Sequence, residues 1–371
     1  MKKNNYNQIH IISSLSTGGA EHMLFKILKE LKPKDLLVIC LGSRGYFSEK
    51  IESLNIRVIH LDLKKSFLIK LFKYFFFLKL RSKVIVGWMY HGNLFASYIH
   101  FLNFFSFKKS NLIWNIRQTL YDISYEKKIT RFIIKLSKFF SLIPNKIIYN
   151  SKTSMMQHDQ FGFSNKKAVY IPNGFDIEIS HNNKLIFREK FNIPKNNILI
   201  SHINRFHPMK NHELMIDITK KLISKYDNIN FVFCGKGIHL ENLSFLNKLN
   251  FNKKELSRCL FLGNRSDVNE ILEETNLFLL TSSWGEGFPN IIGEAMLNEC
   301  NIISTDVGDV RRILNSSINI VQINNKNEFV LNIEALINSG KIFKKNIIAR
   351  KVIEENFNIK KIVKQFEEIL K

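Results

Sequence analysis

The chain of 371 residues lacks the residues from which disulfide-built or metal-built proteins are made. Its four cysteines, Cys40, Cys234, Cys259 and Cys300, are scattered, show no C-x-x-C spacing and mostly lie inside apolar runs. They read as buried thiols of a reducing cytoplasm, not as disulfides or zinc ligands. No D-x-D occurs and no His/Asp/Glu cluster has metal spacing, so metal-assisted phosphate binding has no visible ligands and no metal site is expected. The N-terminus leads into an apolar run too short for the core of a signal peptide, which predicts a protein that is not exported. Long charge-free runs are also missing except for Val84–Phe107, and that stretch holds Gly87, His91, Gly92, Asn93, His100 and Asn103. It predicts a buried strand followed by a helix, not a membrane span.

Acidic residues are in short supply. Asp+Glu number 32 against 55 Lys+Arg, a net charge of +23. Such a balance attracts polyanions, whether nucleic acid, an anionic membrane face or phosphorylated ligands, and charge alone does not choose among them. The Lys, Asn and Ile excess also fits an AT-rich genome. Apolar residues at 45% and charged ones at 23% are ordinary globular values and exclude a disordered or fibrous chain.

Short runs rich in Ile, Val and Leu recur at 8–13, 36–41, 56–61, 84–89, 111–116 and 146–150, then at 197–203, 229–234, 259–263, 276–281, 301–305 and 318–322, with helical segments between them. Continuous apolar strands alternating with helices predict parallel sheets covered on both faces. Two such sets predict an α/β chain of two Rossmann-like, doubly wound domains facing across a cleft. The expected boundaries are 1–175 and 176–355, followed by a C-terminal helix at 356–371 packing back on the first domain. Ile-Pro-Asn-Gly-Phe-Asp at 171–176 is rich in turn formers and marks the expected hinge.

Ligands of open parallel sheets sit beyond the carboxyl ends of the strands. Three segments occupy such places. Ser16-Thr-Gly-Gly-Ala-Glu21 follows the first run, and its Gly18 and Gly19 suit either a close backbone approach to phosphate at a helix start or a plain turn. Arg205-Phe-His-Pro-Met-Lys210 offers a guanidinium fork and an ammonium, matched to a diphosphate. Ser282-Ser-Trp-Gly-Glu-Gly-Phe-Pro-Asn-Ile-Ile-Gly-Glu294 places Pro289 in a first helical turn, so that amides from Gly287 to Ile291 face an anion. Glu286 and Glu294 would be at most roughly 12 Å apart if the whole span were helical, the reach of a sugar diphosphate.

Together, Glu286-x7-Glu294 with Gly-Phe-Pro after the first glutamate, the Arg205/Lys210 pair, the Gly18-Gly19 loop and the Pro-Asn-Gly segment resemble the retaining glycosyltransferases of family 4, of GT-B fold and bacterial polysaccharide type. The resemblance implies a metal-independent hexosyltransferase that needs no cofactor. It would move a sugar from a nucleotide diphosphate donor, UDP- or GDP-linked, to a lipid-linked or oligosaccharide acceptor in O-antigen or capsule assembly. It implies that Arg205 and Lys210 hold the diphosphate, Glu286 the sugar hydroxyls and Glu294 the ribose. Gly18 and Gly19 would approach the phosphate, and Gly287, Phe288, Pro289 and Asn290 would line the sugar and phosphate site. Gly235 and the segment Gly263-Asn-Arg265-Ser-Asp267 would make the turns near the nucleobase, and His91 would stand near the transferred sugar. Trp114-Asn-Ile-Arg117 resembles segments of the same family, with Arg117 contacting the acceptor or phosphate, or holding structure.

The segment 64–83 mixes aromatics with Lys64, Lys65, Lys70, Lys73, Lys79, Arg81 and Lys83. As a helix it predicts contact with an anionic membrane surface, extended by 129–143 with Arg131, Lys135 and Lys138. The expected place of work is therefore the cytoplasmic face of a membrane. A GT-B sugar-nucleotide epimerase and a basic nucleic-acid-binding protein are the alternatives, the latter lacking zinc-finger spacing or an RNP-like aromatic motif.

Overall fold

The computed structural model describes residues 5–62, 80–105, 109–178, 186–315, 319–322 and 324–371. They form two units, one of residues 1–174 with 359–371, the other of 175–358.

The first unit is a seven-stranded parallel sheet. Its strands are β1 (Asn5–Ile12), β2 (Leu36–Cys40), β3 (Arg57–His60), β4 (Arg81–Trp88), β5 (Asn111–Ile116), β6 (Lys146–Tyr149) and β7 (Ala168–Tyr170), in the order β3-β2-β1-β4-β5-β6-β7. The sequence predicts all of these but β7, three half-buried residues too few to show a pattern. Val84–Phe107 divides as expected, into β4 and the helix Met89–Phe105. Gly92 is needed at that junction, because a Cβ there would lie 2.5 Å from the Ile11 carbonyl oxygen of β1. The last helix, Ile359–Leu370, belongs to this unit and buries Ile362, Val363 and Phe366 against Met23, Leu24 and Ile27 of the helix Gly19–Leu31.

The second unit is a six-stranded parallel sheet. Its strands are β8 (Ile198–Ile203), β9 (Ile229–Cys234), β10 (Cys259–Phe261), β11 (Leu277–Leu280), β12 (Asn301–Thr305) and β13 (Asn319–Val321), in the order β10-β9-β8-β11-β12-β13. All are parallel, and the central strands β8 and β11 are wholly buried, so β11 is apolar throughout and β8 is apolar but for the buried Ser201 and His202. In both sheets the strand order reverses once, between β1 and β4 and between β8 and β11. Neighbouring crossovers there leave in opposite directions, which opens a crevice at the carboxyl edge. The cysteines are free and buried, as predicted. Among the described residues no helix is long and apolar enough to cross a membrane.

Two buried histidines tie the first unit's stability to pH. His10 Nδ1 accepts from the Trp88 indole N–H at 3.1 Å. His158 lies between the Tyr90 hydroxyl at 2.8 Å and the Ser154 carbonyl at 2.7 Å. Burial pulls their pKa values down to about 3 and about 4. As pH falls below about 6.5 the unfolded chain takes up these protons and the folded unit does not. Stability present above that pH is therefore lost toward pH 4, by up to about 1.4 kcal/mol per pH unit for each imidazole. Denaturant unfolding between pH 6.5 and 4.5 is expected to show this slope, and His158→Gln to reduce it by about one proton. An unchanged slope in His158→Gln would remove that residue from the acid response.

Candidate active site

The Lys210 ammonium and the Glu286 carboxylate, 76 residues apart in sequence, form an ion pair at the carboxyl edge of the second sheet. Their side chains are only 12% and 10% exposed. One follows β8 and the other β11, the two strands that flank the order reversal. Ser282 Oγ donates to the same Glu286 oxygen at 2.8 Å, so the carboxylate is fixed by two donors.

The two loops are stitched together along their backbones. The Ser283 N–H donates to the Met209 carbonyl at 2.8 Å, and Thr281 Oγ1 donates to the Lys210 carbonyl at 2.9 Å. Asn211 caps the helix His212–Lys225 by accepting from the Leu214 N–H, which ends the Lys210 loop. Arg205 sits on that loop, exposed, with one guanidinium nitrogen 3.7 Å from Met209 Sδ. A third loop supports Glu286 from beneath. Gly308 has φ of +58°, and a Cβ there would lie 2.4 Å from the Glu286 carbonyl oxygen and 2.5 Å from that of Gly287. The Asp309 N–H donates to the Gly287 carbonyl at 2.8 Å. Ser282 and Gly308 are the participants that sequence reasoning missed. The signal for Ser282 was its place at the head of the Glu286 segment, whereas Gly308 had none.

A cation and a carboxylate locked together at the switch point of a doubly wound sheet are suited to a ligand that carries both an anionic and a hydroxyl-rich part. The comparisons agree with that chemistry. The family model described as Glycosyl transferases group 1 matches residues 183–371, half of the chain. The chain belongs to this family. Among similar proteins, the capsular polysaccharide biosynthesis glycosyltransferase CapH of Staphylococcus aureus is 28% identical over 319 residues, 84% of this chain and 83% of that protein. The Escherichia coli UDP-Gal:alpha-D-GlcNAc-diphosphoundecaprenol alpha-1,3-galactosyltransferase is 27% identical over 214 residues, 55% of this chain and 54% of that one. Among solved structures, Anabaena HepE in complex with UDP has a TM-score of 0.80 at 19% identity, covering 98% of this chain and 99% of the other. That likeness is one of fold, and the fold of this group 1 transferase is GT-B.

The group 1 transferase distributes the remaining candidates as follows. The helix after Glu286 is Asn290–Leu297, with Pro289 as the residue before it and not in its first turn. The helical estimate of the Glu286–Glu294 separation therefore does not apply to residues 286–289, and Glu294 is half-buried one turn into the helix. The Phe288 ring turns away into the core, packing on Phe175 and Phe357 with centroids 6.1 and 5.4 Å apart. Only its main chain is left to face a ligand. The structural demand in this helix falls on Gly293, where a Cβ would lie 2.1 Å from the Phe175 ring. Gly235 has φ of +141° and Gly263 +62°, and the Gly235 N–H donates to the Gly263 carbonyl at 2.7 Å, joining the two turns. Arg265 is held by Asp267, its Nε donating at 2.7 Å.

In the first unit, Gly18 and Gly19 lie exposed at the start of the helix that follows β1. Gly18 is extended backbone, and a Cβ there would meet only the flexible end of Glu21. The Glu21 carboxylate instead accepts from Ser14 Oγ at 2.8 Å, shaping the loop. His91 lies in the first turn after β4, half-buried, and burial lowers its pKa, so the imidazole is neutral near pH 7. Gly18 and His91 thus follow β1 and β4, the switch-point strands of their own sheet. Arg117, just past β5, donates to Asn115 Oδ1 at 3.1 Å and to Asn173 Oδ1, with its guanidinium 5.5 Å from the Trp88 ring centroid. Burial without a carboxylate in these contacts pulls its pKa down to about 9. Of the segment 64–83, residues 64–79 lie outside the described residues.

Proposed function

We propose that this transferase moves a hexosyl group, with retained anomeric configuration, from a nucleoside diphosphate sugar to a lipid-linked glycan during assembly of a bacterial surface polysaccharide. The Lys210–Glu286 pair at the β8/β11 switch point carries the reading. On donor binding Lys210 and Arg205 take the diphosphate, and Glu286 accepts hydrogen bonds from the sugar hydroxyls. Glu294 accepts them from the ribose, and Gly235 and Gly263 shape the base site. As the anomeric carbon gains oxocarbenium character, negative charge grows on the departing diphosphate. Fixed cations placed there stabilise it without a metal ion. The leaving phosphate accepts the acceptor hydroxyl's proton during front-face attack, with Glu286 positioning the sugar. In the first unit, Arg117 meets the acceptor's phosphate at the cytoplasmic membrane face.

The E. coli galactosyltransferase, which uses UDP-Gal and a diphosphoundecaprenol-linked acceptor, supports this class of donor and acceptor, and CapH supports a place in capsular polysaccharide biosynthesis. HepE, solved with UDP and with UDP-glucose, favours a uridine donor over a guanosine one.

Thermal unfolding against UDP, GDP, ADP, CMP and their sugar conjugates, each with and without EDTA, tests the reading. Ligand at about 100 times its Kd adds about 2.7 kcal/mol, enough to raise the midpoint by several degrees. The expected result is a shift with one nucleotide family, insensitive to EDTA and lost in Glu294→Ala. No shift with any nucleotide would undo the donor-site assignment.

A further inference from the structure

The helix Lys128–Phe140, which follows β5 in the first unit, turns one apolar face to the core and carries further large apolar side chains on its outward side. Ile134 and Ser137 are buried, and Ile133 and Phe140 pack with them beside the helix Met89–Phe105. On the opposite side Phe132 and Phe139 are 64% and 76% exposed, flanked by Ile129 at 73% and, just past the helix, Leu142 at 69%. Soluble proteins rarely leave large apolar side chains contiguous on their surface, and where they do the patch marks an interaction site.

The spacing shows that use. Lys128, Phe132, Lys135 and Phe139 stand at intervals of four, three and four residues, so they form one outward stripe in which cation and aromatic ring alternate. From Lys127 to Lys146 there is no Asp or Glu, while Lys127, Lys128, Arg131, Lys135, Lys138 and Lys146 are all present. A protein partner would need acidic groups matched to scattered lysines. A lipid surface supplies a continuous anionic plane above an apolar layer, which fits rings that insert and lysines whose stems lie along the boundary.

We infer that the Lys128–Phe140 helix docks flat on an anionic lipid bilayer, with Phe132, Phe139, Ile129 and Leu142 entering the headgroup boundary and Lys128 and Lys135 engaging lipid phosphates. This gives the lipid-linked reading a specific membrane contact and rests on that reading only for its purpose. Its test contains neither nucleotide nor acceptor, so its failure leaves the donor site standing.

The full chain is mixed with vesicles of two-thirds phosphatidylcholine and one-third phosphatidylglycerol, and separately with vesicles of phosphatidylcholine alone, and the sedimented fraction is measured. Binding is expected to the anionic vesicles and to weaken with salt. Lys128→Glu/Lys135→Glu should lower the partition coefficient by more than about 25-fold, about fivefold for each charge lost. Phe132→Asp/Phe139→Asp should abolish binding while leaving the unfolding midpoint and any nucleotide-induced shift at wild-type values. Equal binding to both vesicle types, or anionic binding that survives Phe132→Asp/Phe139→Asp, would overturn the inference. So would a wild-type dimer on gel filtration that ignores vesicles and becomes monomeric in Phe132→Asp/Phe139→Asp, because the face would then join two copies of the chain.

Discussion

Glu286→Gln is expected to lower kcat/KM for sugar transfer by about 10²–10³-fold, with Lys210→Ala falling in the same range. The carboxylate is nearly buried and receives two donors, the Lys210 ammonium and Ser282 Oγ. A neutral amide keeps the shape but leaves a buried ammonium without its counter-charge, and breaking such a pair costs about 3–5 kcal/mol. Lys210 must then leave the position from which it would meet the donor phosphate. The two residues act as one unit, so the double variant is expected to lose little more than the worse single variant. Transfer rates with a defined acceptor, read beside nucleotide affinity, separate the roles. Lys210→Ala should chiefly weaken nucleotide binding, and Glu286→Gln should lower turnover and, through the displaced Lys210, nucleotide binding as well. A Glu286→Gln enzyme within threefold of wild type, with its midpoint unchanged, would remove Glu286 from the reaction.

Removing residues 359–371 is expected to unfold the first unit, and Phe366→Ala to destabilise it by about 3–5 kcal/mol. The last helix buries Ile359, Ile362, Val363, Phe366 and Leu370, each nearly or wholly inaccessible. At about 2 kcal/mol for each apolar side chain, their loss is as large as the whole stability of an ordinary domain. Phe366 stacks on Trp88 with ring centroids 6.0 Å apart, and Trp88 donates to His10. Intrinsic fluorescence therefore reports the damage directly. A lowered unfolding midpoint in Phe366→Ala, with altered tryptophan emission, is the expected result, and a truncated chain that unfolds at the wild-type midpoint would contradict it.

Both predictions depend on contacts between distant parts of the chain, and this is where the sequence stops being readable. Strands β8, β9 and β11 announce themselves because strands buried on both faces are apolar at nearly every position, with Ser201, His202 and Asn230 the exceptions. β7, short and half-buried, carries no such pattern. Glu286, Lys210 and Arg205 were legible as residues because cations and carboxylates just after buried strands are rarely there for packing. That the Phe288 ring packs on Phe175 and Phe357 was not legible, because nothing in Gly-Phe-Pro tells which way a side chain turns. Gly174 was read as a turn former, yet a Cβ there would lie 2.7 Å from Ile359 Cδ1 and 3.2 Å from Ile362 Cβ. Its demand comes from the last helix, far along the sequence.

The sequence by itself determined the class of the two sheets, most of their strands, the excess of basic residues and the residue types of the candidate site. These follow from burial and charge within a few neighbouring residues. Only the tertiary structure decided that Lys210 closes on Glu286 and that Gly308 buttresses the same loop. Strand order selects those partners. It is a property of how whole strands choose their neighbours, which no local stretch of residues records.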